Sequence, residues 1–167
     1  MEHSLDRIDF KILNLLQNNA RLSNKELAAA VDLAPSSCLT RVQRLKDAGV
    51  LLGFHARVAP EALGIGVQAM VAVRMRQHNR NHVKTFMKHL RALPEVREIF
   101  YVTGAHDFLV HVVARDMAHL KDLALDVFTN RSEVAHIETS MVYEYLSNPV
   151  APALARETAP SSTRDRG

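Results

Sequence analysis

Near the start of the chain Leu5, Ile8, Ile12, Leu15 and Leu16 recur at three- and four-residue steps, and Phe10 and Leu13 widen the stripe. A first helix is therefore predicted over residues 5–16. The pattern breaks at 18–22 and resumes after Ser23, whose spacing to Glu26 is that of a capping box, so a second helix starts at Ser23 and runs through Leu27 and Ala28. A short connection at 31–34 leads to Pro35, whose fixed φ suits a first helical position. Leu39, Val42 and Leu45 are expected to form the buried face of a third helix, and Gly49 follows where that helix should end.

Residues 51–58 read as extended, with Gly53 weakening the start, and the breakers between Pro60 and Gly66 mark a connection. From Val67 the period changes to two. Val67, Ala69, Val71, Val73 and Met75 lie on one side of a strand, and Gln68, Arg74 and Arg76 lie on the other. Val83, Phe86, Met87, Leu90 and Leu93 return to helical spacing. Residues 96–103 and 108–114 then read as strands around a turn at 104–107. Leu120, Leu123, Ala124, Val127 and Phe128 form another helical stripe, and 135–146 form a last strand. The order β-α-β-β-α-β is that of the ferredoxin-like fold, so the chain is expected to be α+β. Helices cover only one face of such a sheet, and a second subunit is the usual cover for the other. The expected division is 1–52 for the three-helix domain, 53–66 for an extended linker strand and connection, 67–147 for the ferredoxin-like domain, and 148–167 for a disordered tail rich in Pro, Ala, Ser, Thr and Arg.

Composition narrows the class only a little. In 167 residues, 47% hydrophobic and 23% charged, there is room for one medium domain or two small ones. Cys38 is the single cysteine, so no intramolecular bridge forms and a reducing compartment is expected. Residues 1–16 contain Asp6 and Asp9 and no unbroken apolar run, unlike a signal peptide. No stretch approaches the roughly 20 apolar residues of a membrane helix. The expectation is a soluble cytoplasmic protein with no membrane partner. A net charge of +3 and a pI near 9.2 permit a nucleic-acid partner without requiring one.

The candidate chemistry lies in residues 23–49, where two short helices joined by a tight turn make a helix-turn-helix. The N-terminal part of the second helix of such a motif enters the major groove, which makes Ser36, Ser37, Thr40, Arg41 and Arg44 the DNA-binding candidates. Arg41 and Arg44 share a face and suit forked contacts to guanine or phosphate. The same residues also fit an ordinary three-helix bundle with solvated arginines. Asp6 and Asp9 are accounted for by the dipole of the first helix rather than by catalysis or metal binding. Cys38 has no His or Cys at ligand spacing and reads as a packing residue. Of the nine histidines, His78 and His82 are four apart, but Asn79, Arg80 and Asn81 between them look like a helix start, so surface histidines and no metal are expected. No nucleophile elbow, P-loop, dinucleotide fingerprint or zinc signature occurs, hence no catalytic residues, no cofactor and no enzyme.

The runs Leu5-Asp6-Arg7-Ile8-Asp9, Arg21-Leu22-Ser23-Asn24-Lys25-Glu26-Leu27-Ala28, Pro35-Ser36-Ser37-Cys38-Leu39-Thr40-Arg41-Val42-Gln43-Arg44-Leu45 and Gly49-Val50-Leu51-Leu52-Gly53-Phe54 resemble the DNA-binding half of the leucine-responsive regulatory protein/AsnC family. Val102-Thr103-Gly104-Ala105-His106-Asp107-Phe108 resembles the glycine-and-aspartate turn of that family's sensor domain, the regulation-of-amino-acid-metabolism (RAM) domain. The resemblance spans 5–146 in the family's order and spacing.

It implies a sequence-specific transcriptional regulator of double-stranded DNA, cytoplasmic and nucleoid-associated, dimerised through its sheets and often assembled into tetramers or octamers. It also implies an amino-acid effector, bound between subunits near the turn. By position the effector-response residues would be Tyr101, Asp107, Met117, Thr129, Ser140, Met141 and Val142, with the backbone of Thr103, Gly104, Ala105 and His106 lining the site. Gly104 would let the chain approach a ligand, and Asp107 would hold an α-ammonium or cap its own turn. Two positions depart from the family. Ala34 stands where Ser is common, at a cost of about 1 kcal/mol in helix capping, with Ser36 compensating only in part. Ser140 is smaller than in a leucine-responsive member, which leaves room for a larger effector. An architectural chromosome protein with weak sequence preference and no effector is the alternative.

Overall fold

A computed structural model describes residues 5–77 and 79–154. They fall into two compact units divided after Ala56, with the residues after Leu146 belonging to the first.

The first unit begins with α1 (Arg7–Asn18), entered through a capping box in which Asp6 accepts from the N–H groups of Ile8 and Asp9 and Asp9 accepts from the N–H of Asp6 at 3.1 Å. Ser23 and Glu26 make the same reciprocal pair at the start of α2 (Asn24–Ala30), as their spacing predicts. Helix α3 (Pro35–Asp47) closes at Gly49, whose φ of +68° brings the N–H groups of Gly49 and Val50 back onto the carbonyls of Lys46 and Leu45. Ile12, Leu16, Leu27, Ala28, Val31, Cys38 and Leu45 form the core of this unit.

That core corrects one expectation. Leu39 is 58% exposed, and Cys38 is fully buried in its place. At about 100° per residue, positions 42 and 45 both lie within about 40° of position 38, whereas position 39 is a full step away. Burial also raises the pKa of the Cys38 thiol, which keeps it protonated and inert, a packing residue as expected.

Residues 51–59 form no strand, contrary to expectation, because among the described residues no strand pairs with them to complete a ladder. A single 3-10 turn, Pro60–Leu63, follows.

The second unit is a four-stranded antiparallel sheet of order β2-β3-β1-β4, built from β1 (Val67–Met75), β2 (Val96–Tyr101), β3 (Phe108–Ala114) and β4 (Val134–Met141). Helices α4 (Arg80–Arg91) and α5 (Met117–Leu123) connect the strands in the order β-α-β-β-α-β, the predicted ferredoxin-like fold. The alternation in β1 holds. Ala69, Val71, Val73 and Met75 are buried with Phe108, Val110 and Val112 against Phe86, Leu90 and Phe128 of the helical layer. The ring of Phe86 meets those of Phe108 and Phe128 edge-on at 5.4 and 6.4 Å. Gln68, Met70, Ala72, Leu109, His111 and Val113 face the other way.

Several boundaries differ from the sequence reading. β2 ends at Tyr101 rather than at residue 103, because the N–H of Val102 turns to the carbonyl of Asp107. β4 ends at Met141 rather than at residue 146. The N–H of Val142 takes the last rung, on Gln68, and β1 begins one residue earlier. The chain then bends, placing the Tyr145 ring 5.4 Å from that of His111 and its hydroxyl 3.2 Å from Glu98. Past Leu123 the helix widens into a π-turn, Ala124–Thr129. Of the expected tail, residues 148–154 are irregular, with the N–H of Ala151 donating to Gln17 at 2.8 Å, and the remainder, like His78, lies outside the described residues.

Candidate nucleic-acid interface and sensor turn

Ser36, Ser37, Thr40 and Arg44 lie on the exposed side of α3 as the sequence predicts, but Arg41 and Arg44 are not simply solvated forks. Nη1 of Arg41 is 2.6 Å from Oδ2 of Asp6 and 3.0 Å from Oδ1 of Asp9, and Nη2 of Arg44 is 2.6 Å from Oδ2 of Asp9. Asp9 has no exposed surface. Its carboxylate is answered by two guanidinium groups and the N–H of Asp6, which is what makes a buried charge tolerable. The two acids at the start of α1 therefore do more than face a helix dipole: they tie α1 to α3. Partial loss of water pushes the Asp6 carboxyl up, but the hydrogen bond from Arg41 and those from Asp9 and Ile8 outweigh it and hold the group below its ordinary range. The same bonds, to Asp6 and then to Asp9, raise the pKa of Arg41. The signal was present in the sequence as two acids and two arginines at the same spacing of three.

Other side chains of α3 are also committed. The Thr40 hydroxyl donates to the carbonyl of Ser36 at 3.0 Å, and Nε2 of Gln43 donates to Asp47 at 2.7 Å. No side chain caps α3 at Ala34. Asn24 instead donates to the carbonyl of Pro35 at 2.8 Å, fastening α2 to the start of α3.

The turn at 102–107 is built by Asp107. Its N–H donates to the carbonyl of Val73, and its Oδ2 accepts from the N–H of Met75 at 2.7 Å. The side chain thus joins the turn to the end of β1, and Asp107 is only 8% exposed. Gly104 has φ +118°, a backbone conformation that favours glycine, with open space within the chain where a Cβ would stand. His106 sits 3.5 Å from Glu138, and the Tyr101 ring lies 5.0 Å from that of Phe108. Thr103, Gly104 and Ala105 are exposed; the Thr129 hydroxyl donates to Ala124 at 3.1 Å.

The remaining effector candidates lie elsewhere. Phe108 pairs with Val73, so Tyr101 and the turn stand at the C-terminal end of β1. Ser140 and Met141 pair with Met70 and Ala69, Val142 bonds to Gln68, and Met117 follows Ala114, which pairs with Val67. Along β1, Ser140, Met141 and Val142 thus stand three to five residues from Val73, about 10–17 Å at the rise of a strand, and Met117 lies beyond them. One chain does not bring them around a single ligand.

Among the described residues no cluster of three or more His, Cys, Asp or Glu is placed to hold a metal ion, and no helix is long and apolar enough to cross a membrane.

A helix-turn-helix unit followed by an α+β unit whose helices pack on one face of its sheet defines a class, the DNA-binding transcriptional regulators that bear a ligand-binding domain. Residues 5–51 match the family model for winged helix-turn-helix DNA-binding, and residues 68–150 match that of the Lrp/AsnC ligand binding domain. The chain is 39% identical over 142 residues to the HTH-type transcriptional regulator AldR of Mycolicibacterium smegmatis, covering 85% of this chain and 83% of that protein. It is 35% identical over 137 residues to the leucine-responsive regulatory protein of Rhizobium meliloti, covering 82% and 88%. Among solved structures it is similar to the transcriptional regulator NMB0573 of Neisseria meningitidis in complex with L-Met, with a TM-score of 0.80 at 33% identity over 89% of this chain and 97% of that one. It is also similar to AsnC of E. coli, with a TM-score of 0.73 at 27% identity over 91% and 99%. The chain belongs to the Lrp/AsnC family and is a transcriptional regulator, not an enzyme.

Proposed function

We propose that this regulator recognises specific DNA sequences through α3, dimerises through the uncovered face of its sheet, and is modulated by an amino acid bound between subunits near the turn at 102–107. In this reading residues 1–52 are the DNA-binding part, 53–66 the connection, and 67–147 the effector-binding and dimerisation part. The dimer matches two recognition helices to half-sites about one helical turn apart, and tetramers or octamers of the same unit bridge or wrap DNA.

The observation that supports the inter-subunit site most is the separation of Tyr101 and Asp107, beside the Val73 end of β1, from Ser140 and Met141, three and four residues back along β1 on its other neighbour β4, and from Met117 beyond Val67. A ligand touched by both groups needs two chains. An amino acid as effector agrees with the L-Met complex of the similar Neisseria regulator.

The test uses the full chain. An amino acid present at 100 times its dissociation constant should stabilise the dimer by about 2.7 kcal/mol in a thermal-shift screen. Leu109→Lys, on the uncovered sheet face, should give a folded monomer in light scattering that no longer responds. A monomeric variant with full amino-acid affinity would place the site within one subunit.

A further inference from the structure

Base recognition by a helix in the major groove depends on which groups remain free to point outward. On α3 the two arginines are engaged by Asp6 and Asp9, at 2.6 to 3.0 Å. The side turned away from Cys38 and Leu45 presents Leu39 and Gln43 instead, about 100° and 140° around the helix from Cys38. Leu39 is 58% exposed and belongs to neither the core of its unit nor the residues packed against it. The amide of Gln43 donates one hydrogen to Asp47 at 2.7 Å, which fixes its direction and leaves one N–H and one carbonyl oxygen. Thr40, between them in sequence, spends its hydroxyl on Ser36 and has its methyl left to offer.

These groups are those that A·T pairs require. Adenine shows an acceptor at N7 beside a donor at N6, which a glutamine amide answers with its N–H and its oxygen together, and thymine shows a C5-methyl that an apolar side chain covers. We propose that Leu39 and Gln43 are the base-reading residues of α3, directed at A·T pairs, with Leu39 on a thymine methyl and Gln43 on an adenine edge. Arg41 is a positioning residue that fixes α3 against α1. The inference rests on α3 being the recognition helix.

The test begins with duplexes selected from a randomised pool by the full-length protein, then resynthesised with deoxyuridine replacing thymidine one position at a time. One thymine in each half-site should be sensitive, with roughly fourfold weaker binding when its methyl is removed, the effect of one buried carbon. The penalty should vanish in Leu39→Ala, which should melt close to the wild type because the side chain lies outside the core and is more than half exposed. Gln43→Ala should relax the preference for adenine at one position per half-site by roughly tenfold or more. An unselective pool, insensitivity at every thymine, or a penalty that persists in Leu39→Ala would each overturn the assignment. Thr40→Glu separates the two levels of the claim: normal binding by that variant means that α3 does not enter the groove. Lost binding without any uracil effect means that it enters and reads by other means.

Discussion

A carboxylate with no exposed surface needs an answer at each oxygen, and at Asp9 the answers come from two arginines and a backbone N–H. Asp9→Asn removes the charge and keeps the shape, so it should lower the stability of the full chain by about 1.5–3 kcal/mol, the worth of hydrogen bonds to charged groups. Arg41→Ala should follow it in denaturant titrations. Unchanged stability in both variants would mean that these arginines are free for DNA after all. Asp107 presents a similar choice. Asp107→Ala leaves the N–H of Met75 without that acceptor and should cost about 1–3 kcal/mol, whereas Asp107→Asn keeps an acceptor in place. If Asp107 also holds the effector's ammonium, Asp107→Asn loses less stability than Asp107→Ala yet binds the amino acid at least tenfold more weakly in calorimetry. Full affinity in that variant would confine Asp107 to shaping the turn.

At the scale of elements, α3 starts on Ala34 with no side-chain cap. Ala34→Ser should therefore stabilise the protein by about 1 kcal/mol, since the exposed position can offer a hydroxyl to the first turn. A lower melting temperature would show that the entry to α3 depends on Ala34 itself. Most elements were legible because their apolar period is long and regular: β3 lies on 108–114 as expected, and the Ser-x-x-Glu capping box stands at the start of α2, whereas the Asp6–Asp9 box, read only as acids facing a helix dipole, is a finding of the structure. The failures share a cause, in that local pattern does not fix tertiary partners. A stripe at steps of three drifts around a helix, which is why spacing alone points Leu39 inward while Cys38 fills the core. Residues 51–58 have strand-like composition but, among the described residues, no strand pairs with them, and β4 stops where β1 ceases to accompany it. The clasp between α1 and α3 joins residues more than thirty positions apart, beyond any window of local spacing.

For the molecule as a whole, the sheet face opposite the helices holds His111, buried against Gln68 at 3.0 Å and against the Tyr145 ring. Burial lowers its pKa, with the nearby Glu98 and Arg97 opposing each other, and burial likewise lowers that of His89. The unfolded chain thus takes up protons near the ordinary imidazole value of about 6.5 that the folded chain refuses. Stability should be full above about pH 6.5 and decline as the pH falls below it. Melting temperatures should drop between pH 7.5 and pH 5.5, and His111→Gln, which can still bond Gln68, should diminish the drop. A pH-independent melting curve over that window would contradict the burial of a neutral imidazole.

The pairing of a DNA-reading unit with a ligand-binding unit has its meaning only if the second changes what the first does. Full-length protein titrated at one fixed salt concentration against its selected duplex and against a scrambled duplex, with and without the amino acid that stabilises it, tests this directly by fluorescence anisotropy. The account predicts affinity for the selected duplex at least about a thousandfold greater than for the scrambled one, and a shift in the former when the amino acid is added. Equal affinity for both duplexes, untouched by any amino acid, would contradict it and describe an architectural protein instead.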